Sequence, residues 1–169
     1  MNFSDLKCEN MICMPNKSHT LPAFGFAFNA TTPQFAAFGT PLSLPSTRPN
    51  PNISIPVIHD TLSTGTGITM QKNGVYQISY TLTISLDNMP VTPEASRFFL
   101  TLNTPNNIIP GSGTAVRSNV MGTGEVEVSS GIILINLQPN DLIQIVPVEV
   151  IGTVDIRAAA LTVIQIGSS

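Results

Sequence analysis

Residues 73–86 read NGVYQISYTLTISL, and their alternation decides the fold. Tyr76, Ile78, Tyr80, Leu82, Ile84 and Leu86 are apolar; Gln77, Ser79, Thr81, Thr83 and Ser85 between them are polar. Successive side chains on a strand point to opposite faces, so this pattern predicts one long strand with a buried face and a wet face. Asn73-Gly74 just before it predicts a tight hairpin turn, because both residues tolerate positive φ. That turn would pair residues 67–71 with the long strand. Tyr76, Ile78, Tyr80 and Leu82, with Phe98 further on, are the expected core or interface side chains, and the pattern does not divide them between those two roles.

Working outward, residues 96–103 place Phe98, Leu100 and Leu102 on one side and Phe99 on the other. Residues 115–121, 125–137, 141–150 and 154–166 read as further strands, with Pro139-Asn140 turning between two of them. Odd and even positions are both apolar in Ile132, Ile133, Leu134 and Ile135, which predicts cover on both faces. Residues 158–160 are Ala-Ala-Ala, small enough for close approach of another backbone, from the second sheet or from a second subunit. Upstream, LPAFGFAFN at 21–29 predicts a short strand burying Phe24, Phe26 and Phe28 on one face. Residues 33–51 hold five prolines and read as an extended surface connection, anchored to the sheet by Phe35 and Phe38. Ile53, Ile55 and Val57 suggest a short edge strand, and 89–93 and 105–113 read as loops. Nine or ten short strands without a convincing helix predict an all-β antiparallel sandwich or barrel.

Composition bounds the rest. The 169 residues fit a tail at 1–20 and one domain at 21–169. Only 10% of residues are charged, against about a quarter in ordinary domains. Such a surface is either rich in Ser, Thr and Asn or partly hidden by neighbours in an obligate oligomer. Seven scattered Lys and Arg at a net charge of −3 form no basic stripe, which argues against nucleic acid as a partner. No run reaches the ~18 apolar residues of a membrane span, so no membrane partner is expected. The opening MNFSDLKCEN has an acid and no apolar core, unlike a secretory signal. Cys8 and Cys13 are the only cysteines, and both lie in the tail. Their spacing without histidine partners is poor for zinc. An intramolecular disulfide, disulfide crosslinks to neighbours and unpaired thiols all remain open.

Catalytic patterns are missing. His19 and His59 are the only histidines, too few for a metal-binding cupin barrel. His59 and Asp60 are adjacent on an extended segment and point apart, wrong for a dyad. The glycines at 65–67, 111–113 and 122–124 read as turns, without the strand–loop–helix setting of a phosphate site. Glu125 and Glu127 share one strand face and read as solvated. Asn29-Ala30-Thr31 and Asn52-Ile53-Ser54 match the glycosylation pattern, which means little without export. The expectation is a protein without catalysis, metal or cofactor.

Three local patterns resemble a known fold. Ala27-Phe28-Asn29 looks like the opening of a first strand, and residues 73–80 look like a Gly-x-Tyr-x-apolar-x-Tyr core strand. Residues 130–137 followed by 140–143 look like a late hairpin. In this order the set resembles the ten-stranded jelly roll of complement globular heads and tumour necrosis factor-like domains, which implies a homotrimer.

A closer resemblance runs from Leu21 onward. LPAFGFAFNA, PNPNISIPVIHDT, YQISYTLTISLDN, NIIPGSGTAVRSNV, GTGEVEVSSGIILINL and GTVDIRAAALTV resemble basal-layer proteins of the Bacillus spore exosporium, the ExsF/BxpB type. That likeness implies a non-enzymatic structural protein of the spore surface, made in the mother-cell cytoplasm. It would lie among other basal-layer proteins and anchor collagen-like hair-nap glycoproteins through their N-terminal segments. The chain has no Gly-x-y repeat and is not itself such a filament. The resemblance further implies a covalent, denaturant-resistant link, with side-chain carboxylates as acceptors for an amine-derived isopeptide. The candidates are Asp5, Glu9, Asp60, Asp87, Glu94, Glu125, Glu127, Asp141, Glu149 and Asp155, and spacing selects none of them. The alternative is a trimeric ligand- or glycan-binding head without a scaffold role. Scarce exposed aromatic and acidic clusters argue mildly against calcium-dependent sugar binding.

Overall fold

Two antiparallel sheets face each other, and the chain changes sheet at most of its turns. The structure is a computed structural model and describes residues 22–45, 58–59, 61–86, 94–118 and 125–167. The tail with Cys8 and Cys13, and the strand expected at 53–57, lie outside the described residues. The strands are β1 (Phe24–Asn29), β2 (Gln34–Phe35), β3 (Ile58–His59), β4 (Thr61–Ser63), β5 (Gly67–Met70), β6 (Gly74–Leu86), β7 (Glu94–Leu102), β8 (Thr114–Ser118), β9 (Glu125–Leu137), β10 (Leu142–Ile151) and β11 (Val154–Gly167). One sheet runs β3-β1-β11-β6-β9, with β2 paired to β11; the other runs β4-β5-β10-β7-β8. This is an antiparallel jelly-roll sandwich, and no helix occurs among the described residues.

The predicted long strand is β6, and its parity holds. Tyr76, Ile78, Tyr80, Leu82, Ile84 and Leu86 are all buried, together with Phe98 and Leu100 from β7. The five expected core or interface residues, Tyr76, Ile78, Tyr80, Leu82 and Phe98, thus all belong to the core between the sheets. Tyr80 ties the layers together. Its hydroxyl donates to the Ser112 carbonyl at 2.8 Å, lies 3.0 Å from Thr114 Oγ1 and 3.3 Å from the Phe98 carbonyl. One buried phenol thereby satisfies polar groups of the opposite sheet, which would otherwise be costly to bury.

Several sequence expectations are corrected. Residues 67–71 do not pair with β6: β5 pairs with β4 and β10 in the other sheet. The intervening turn carries the chain across the sandwich instead of folding it into a hairpin. Of the pair expected to supply positive φ, Gly74 does so at φ 158° and Asn73 does not. The Tyr76 hydroxyl closes this crossing by donating to the Lys72 carbonyl at 2.8 Å. Pro139-Asn140 is a turn, as expected, with Asn140 at φ 74°. It too joins strands of different sheets, so β9 and β10 are not a hairpin.

The first strand is turned the other way round. Gly25, Ala27 and Asn29 face the core, while Phe24, Phe26 and Phe28 are half-buried on the outer face. The interior has no room for rings there. A Cβ on Gly25 would come 2.6 Å from Thr61 Oγ1 and 3.0 Å from Ile68. The proline-rich connection is anchored by Leu42 and Leu44, both buried, whereas Phe35 and Phe38 are 69% and 74% exposed. Its backbone does the anchoring too: Gly39 N donates to the Pro147 carbonyl, Leu42 N to Ile145 and Leu44 N to Gly65. The first two of these bonds extend the edge beside β10 where β5 has ended. β10 is the strand covered on both faces, with residues 143–147 all buried. The apolar run in β9 is not: Ile132 is 63% and Leu134 64% exposed.

Candidate assembly surface

The outer face of the six-stranded sheet is assembled by register. Across β1, β11, β6 and β9 one row reads Phe24, Ile164, Gln77, Leu134; the next reads Phe26, Thr162, Ser79, Ile132; the third reads Phe28, Ala160, Thr81, Ser130. A further partial row adds Ala158, Thr83 and Val128. No residue in these rows carries a charge. Most of the large apolar side chains stand at the two sides. One rail is Phe24, Phe26 and Phe28 on β1, the Phe26 and Phe28 rings stacked with centroids 5.3 Å apart. The other is Val126, Val128, Ile132 and Leu134 on β9, all exposed. Between them lies a floor of hydroxyl, amide and alanine side chains, with Ile164 on β11 exposed at one end. Among the described residues charge enters at the end of β11, where Asp155 is buried and Arg157 Nε lies 2.9 Å from its Oδ2.

Thirteen residues of β6 at ~3.3 Å each, across four strands ~4.8 Å apart, give a face on the order of 700 Å². One partner's share of a standard interface is about 800 Å². A lone subunit rarely leaves such an apolar strip bare, and among the described residues β9, thirteen residues long, pairs with no strand besides β6.

The parity of β9 is set by one contact, and this is the signal that locates its rail. Gly131 stands opposite Tyr80, and a Cβ there would come 2.6 Å from the Tyr80 ring. The glycine must face inward so that the ring has space, which turns Ile132 and Leu134 outward. For the alanine run, Ala159 faces the core and Ala158 and Ala160 the outer floor, so the stretch serves both the packing and the surface roles.

The candidate attachment carboxylates do not converge. Glu94 is buried in β7 and Asp155 in β11, on different sheets. Asp141 is half-buried and holds a turn, accepting from Asn103 Nδ2 at 2.9 Å and Gln138 N at 2.8 Å. Glu149 Oε2 lies 3.2 Å from Arg97 Nε on the outer face of the five-stranded sheet. Glu127 is half-buried, opposite Ile84 on the inward side of β9, and not fully solvated as its spacing suggested. Asp5, Glu9, Asp60, Asp87 and the Glu125 side chain lie outside the described residues, as do His19 and the His59 side chain. Among the described residues no group of three or more His, Cys, Asp or Glu could hold a metal ion.

No model of a known protein family matches this chain, and no curated protein matches it in sequence. Solved structures do. Eiger TNF from S. frugiperda is similar at a TM-score of 0.62 and 13% identity, covering 88% of this chain and 94% of that one. The globular domain of zebrafish complement 1qA protein is similar at 0.52 and 15% identity, covering 89% of this chain and 100% of that one. The architecture is therefore the jelly roll of TNF and complement heads.

Proposed function

We propose that this jelly roll is a structural module that assembles into a homotrimer through the outer face of its six-stranded sheet and performs no catalysis. The observation that carries this reading is the pair of apolar rails, Phe24/Phe26/Phe28 and Val126/Val128/Ile132/Leu134, on a face whose charges among the described residues are Asp155 and Arg157 at the end of β11. The rails are different patches on different strands. Joining β1 of one subunit to β9 of the next is a head-to-tail contact, which generates a ring where the rotation closes. The TNF and complement-head fold supports three as the ring size. Burying ~2000 Å² in such an assembly, at ~25 cal/mol per Å² of apolar area, stabilises it by tens of kcal/mol before association entropy is subtracted.

The resemblance of residues 21–163 to exosporium basal-layer proteins supports a place for the trimer in a spore surface lattice, made without export in the mother cell. There it would anchor collagen-like glycoproteins, whose three-chain stems match a threefold head. Deleting the gene from a Bacillus strain that carries it and imaging the spore surface tests this: the hair-like layer is lost or thinned if the chain anchors it, and an intact layer refutes the anchoring role. Mass spectrometry of spore-surface peptides tests the covalent link, and the absence of any peptide branched at a carboxylate of this chain excludes it.

A further inference from the structure

The outer face of the five-stranded sheet has a different chemistry. Arg97 on β7 stands opposite Ala115 on β8, and Arg117 opposite Ala95. The two guanidiniums therefore share one face on a diagonal, two of only seven Lys and Arg in the chain. Glu149 on β10 stands opposite Arg97 and contacts its Nε at 3.2 Å. Arg117 is exposed and forms no ion pair with the described residues. Ala95, Ala115 and Ile151 floor a trough of about 260 Å³ between these charges. Past Arg97 and Ala115 the trough opens into a second space of about 320 Å³ lined by Phe99, Gly111, Gly113 and Thr114. Gly113 leaves the Phe99 ring its place, since a Cβ there would lie 2.5 Å from the ring edge. From Ala95 to Phe99 along β7 is ~13 Å.

We infer that this trough binds a short acidic oligosaccharide, with a sugar carboxylate on Arg117 and a sugar ring against Phe99. Arginine presents a planar fork that matches a carboxylate. Small residues and an aromatic ring give the shallow, mostly apolar bed of a ligand cleft with few convergent polar groups. A peptide fits less well. The backbone groups of β7 are held by β8 and β10, so a chain laid across this face gains no main-chain hydrogen bonds. Two arginines against one glutamate, in a chain of net charge −3, do not make a nucleic-acid surface. The trough lies on the sheet opposite the assembly surface, so this inference stands whether or not the trimer does.

Chemical-shift titration of the full-length protein tests it, with trigalacturonic acid as the acidic probe and maltotriose as the neutral one. The acidic sugar is expected to shift the amides of residues 95–99 and 113–117, and maltotriose is not. Arg117→Gln is expected to weaken binding about tenfold by removing a charge-assisted hydrogen-bond pair. Glu149→Gln is expected to strengthen it about twofold by removing the repelling carboxylate. Lys72→Gln, the same charge change in the turn between β5 and β6, leaves it unchanged. No shift at about 10 mM sugar, equal response to maltotriose, or an Arg117→Gln affinity equal to wild type overturns the inference. Triglutamate binding as tightly as the sugar acid overturns the choice of a glycan.

Discussion

Gly131 lies directly beneath the ring of Tyr80, its cross-strand partner: a Cβ on the glycine would meet Tyr80 Cε1 at 2.6 Å and the hydroxyl oxygen at 3.1 Å. This contact fixes the inward parity of β9, hence which side chains it turns outward. Because Tyr80 is fully buried with its hydroxyl engaged, the ring has little room to yield. Gly131→Ala is expected to lower stability by about 1–3 kcal/mol through overpacking, read as a lower urea midpoint. A midpoint equal to wild type would show that the ring moves freely.

Tyr80→Phe is expected to cost about 1–3 kcal/mol, because it strands the buried Ser112 carbonyl. Its pH dependence gives a second readout. Burial pushes the Tyr80 phenol above its usual pKa of 10.0, and the hydrogen bond with Thr114 draws part of that back. The folded state therefore holds the proton after the unfolded state has released it. Stability contributed by the neutral phenol is complete below pH 10 and is lost as pH rises from there through the folded pKa. The stability gap between wild type and Tyr80→Phe should narrow above about pH 10, and a gap constant to higher pH would contradict this.

How the connection between β2 and β3 is anchored can be measured by two truncations. Leu42→Ala is expected to cost about 2–5 kcal/mol, since Leu42 is buried in the core. Phe38→Ala is expected to stay within about 0.5 kcal/mol of wild type, since the ring is 74% exposed. Equal losses would mean that the aromatic ring also holds the segment.

These residues also show what sequence alone could carry. The alternation of Tyr76 through Leu86 was readable because each buried side chain is separated by a polar one. Phe24, Phe26 and Phe28 alternate just as cleanly, yet alternation does not say which face is the core; the tight contact at Gly25 decides it. Hydrophobicity pointed to Phe35 and Phe38 as anchors, but the anchors are Leu42 and Leu44, the first held by a backbone hydrogen bond to Ile145 in a strand distant in sequence and the second by one to Gly65 in the turn between β4 and β5. The turns at 71–73 and 138–141 looked like hairpins because local sequence specifies a reversal without saying whether the next strand stays in the same sheet. Ile132 and Leu134 were expected to be covered, and their exposure in one subunit is what marks the candidate assembly surface.

The most direct measurement is mass in solution. Light scattering at micromolar concentration should give about 54 kDa, three 18.0 kDa chains, for the wild type. Ile132→Glu/Leu134→Glu should give 18.0 kDa with the β-sheet circular dichroism intact, because both positions are open in the single subunit but would bury unpaired charge in the ring. A wild-type monomer, or a doubly substituted protein that keeps the wild-type mass, would contradict assembly through this face.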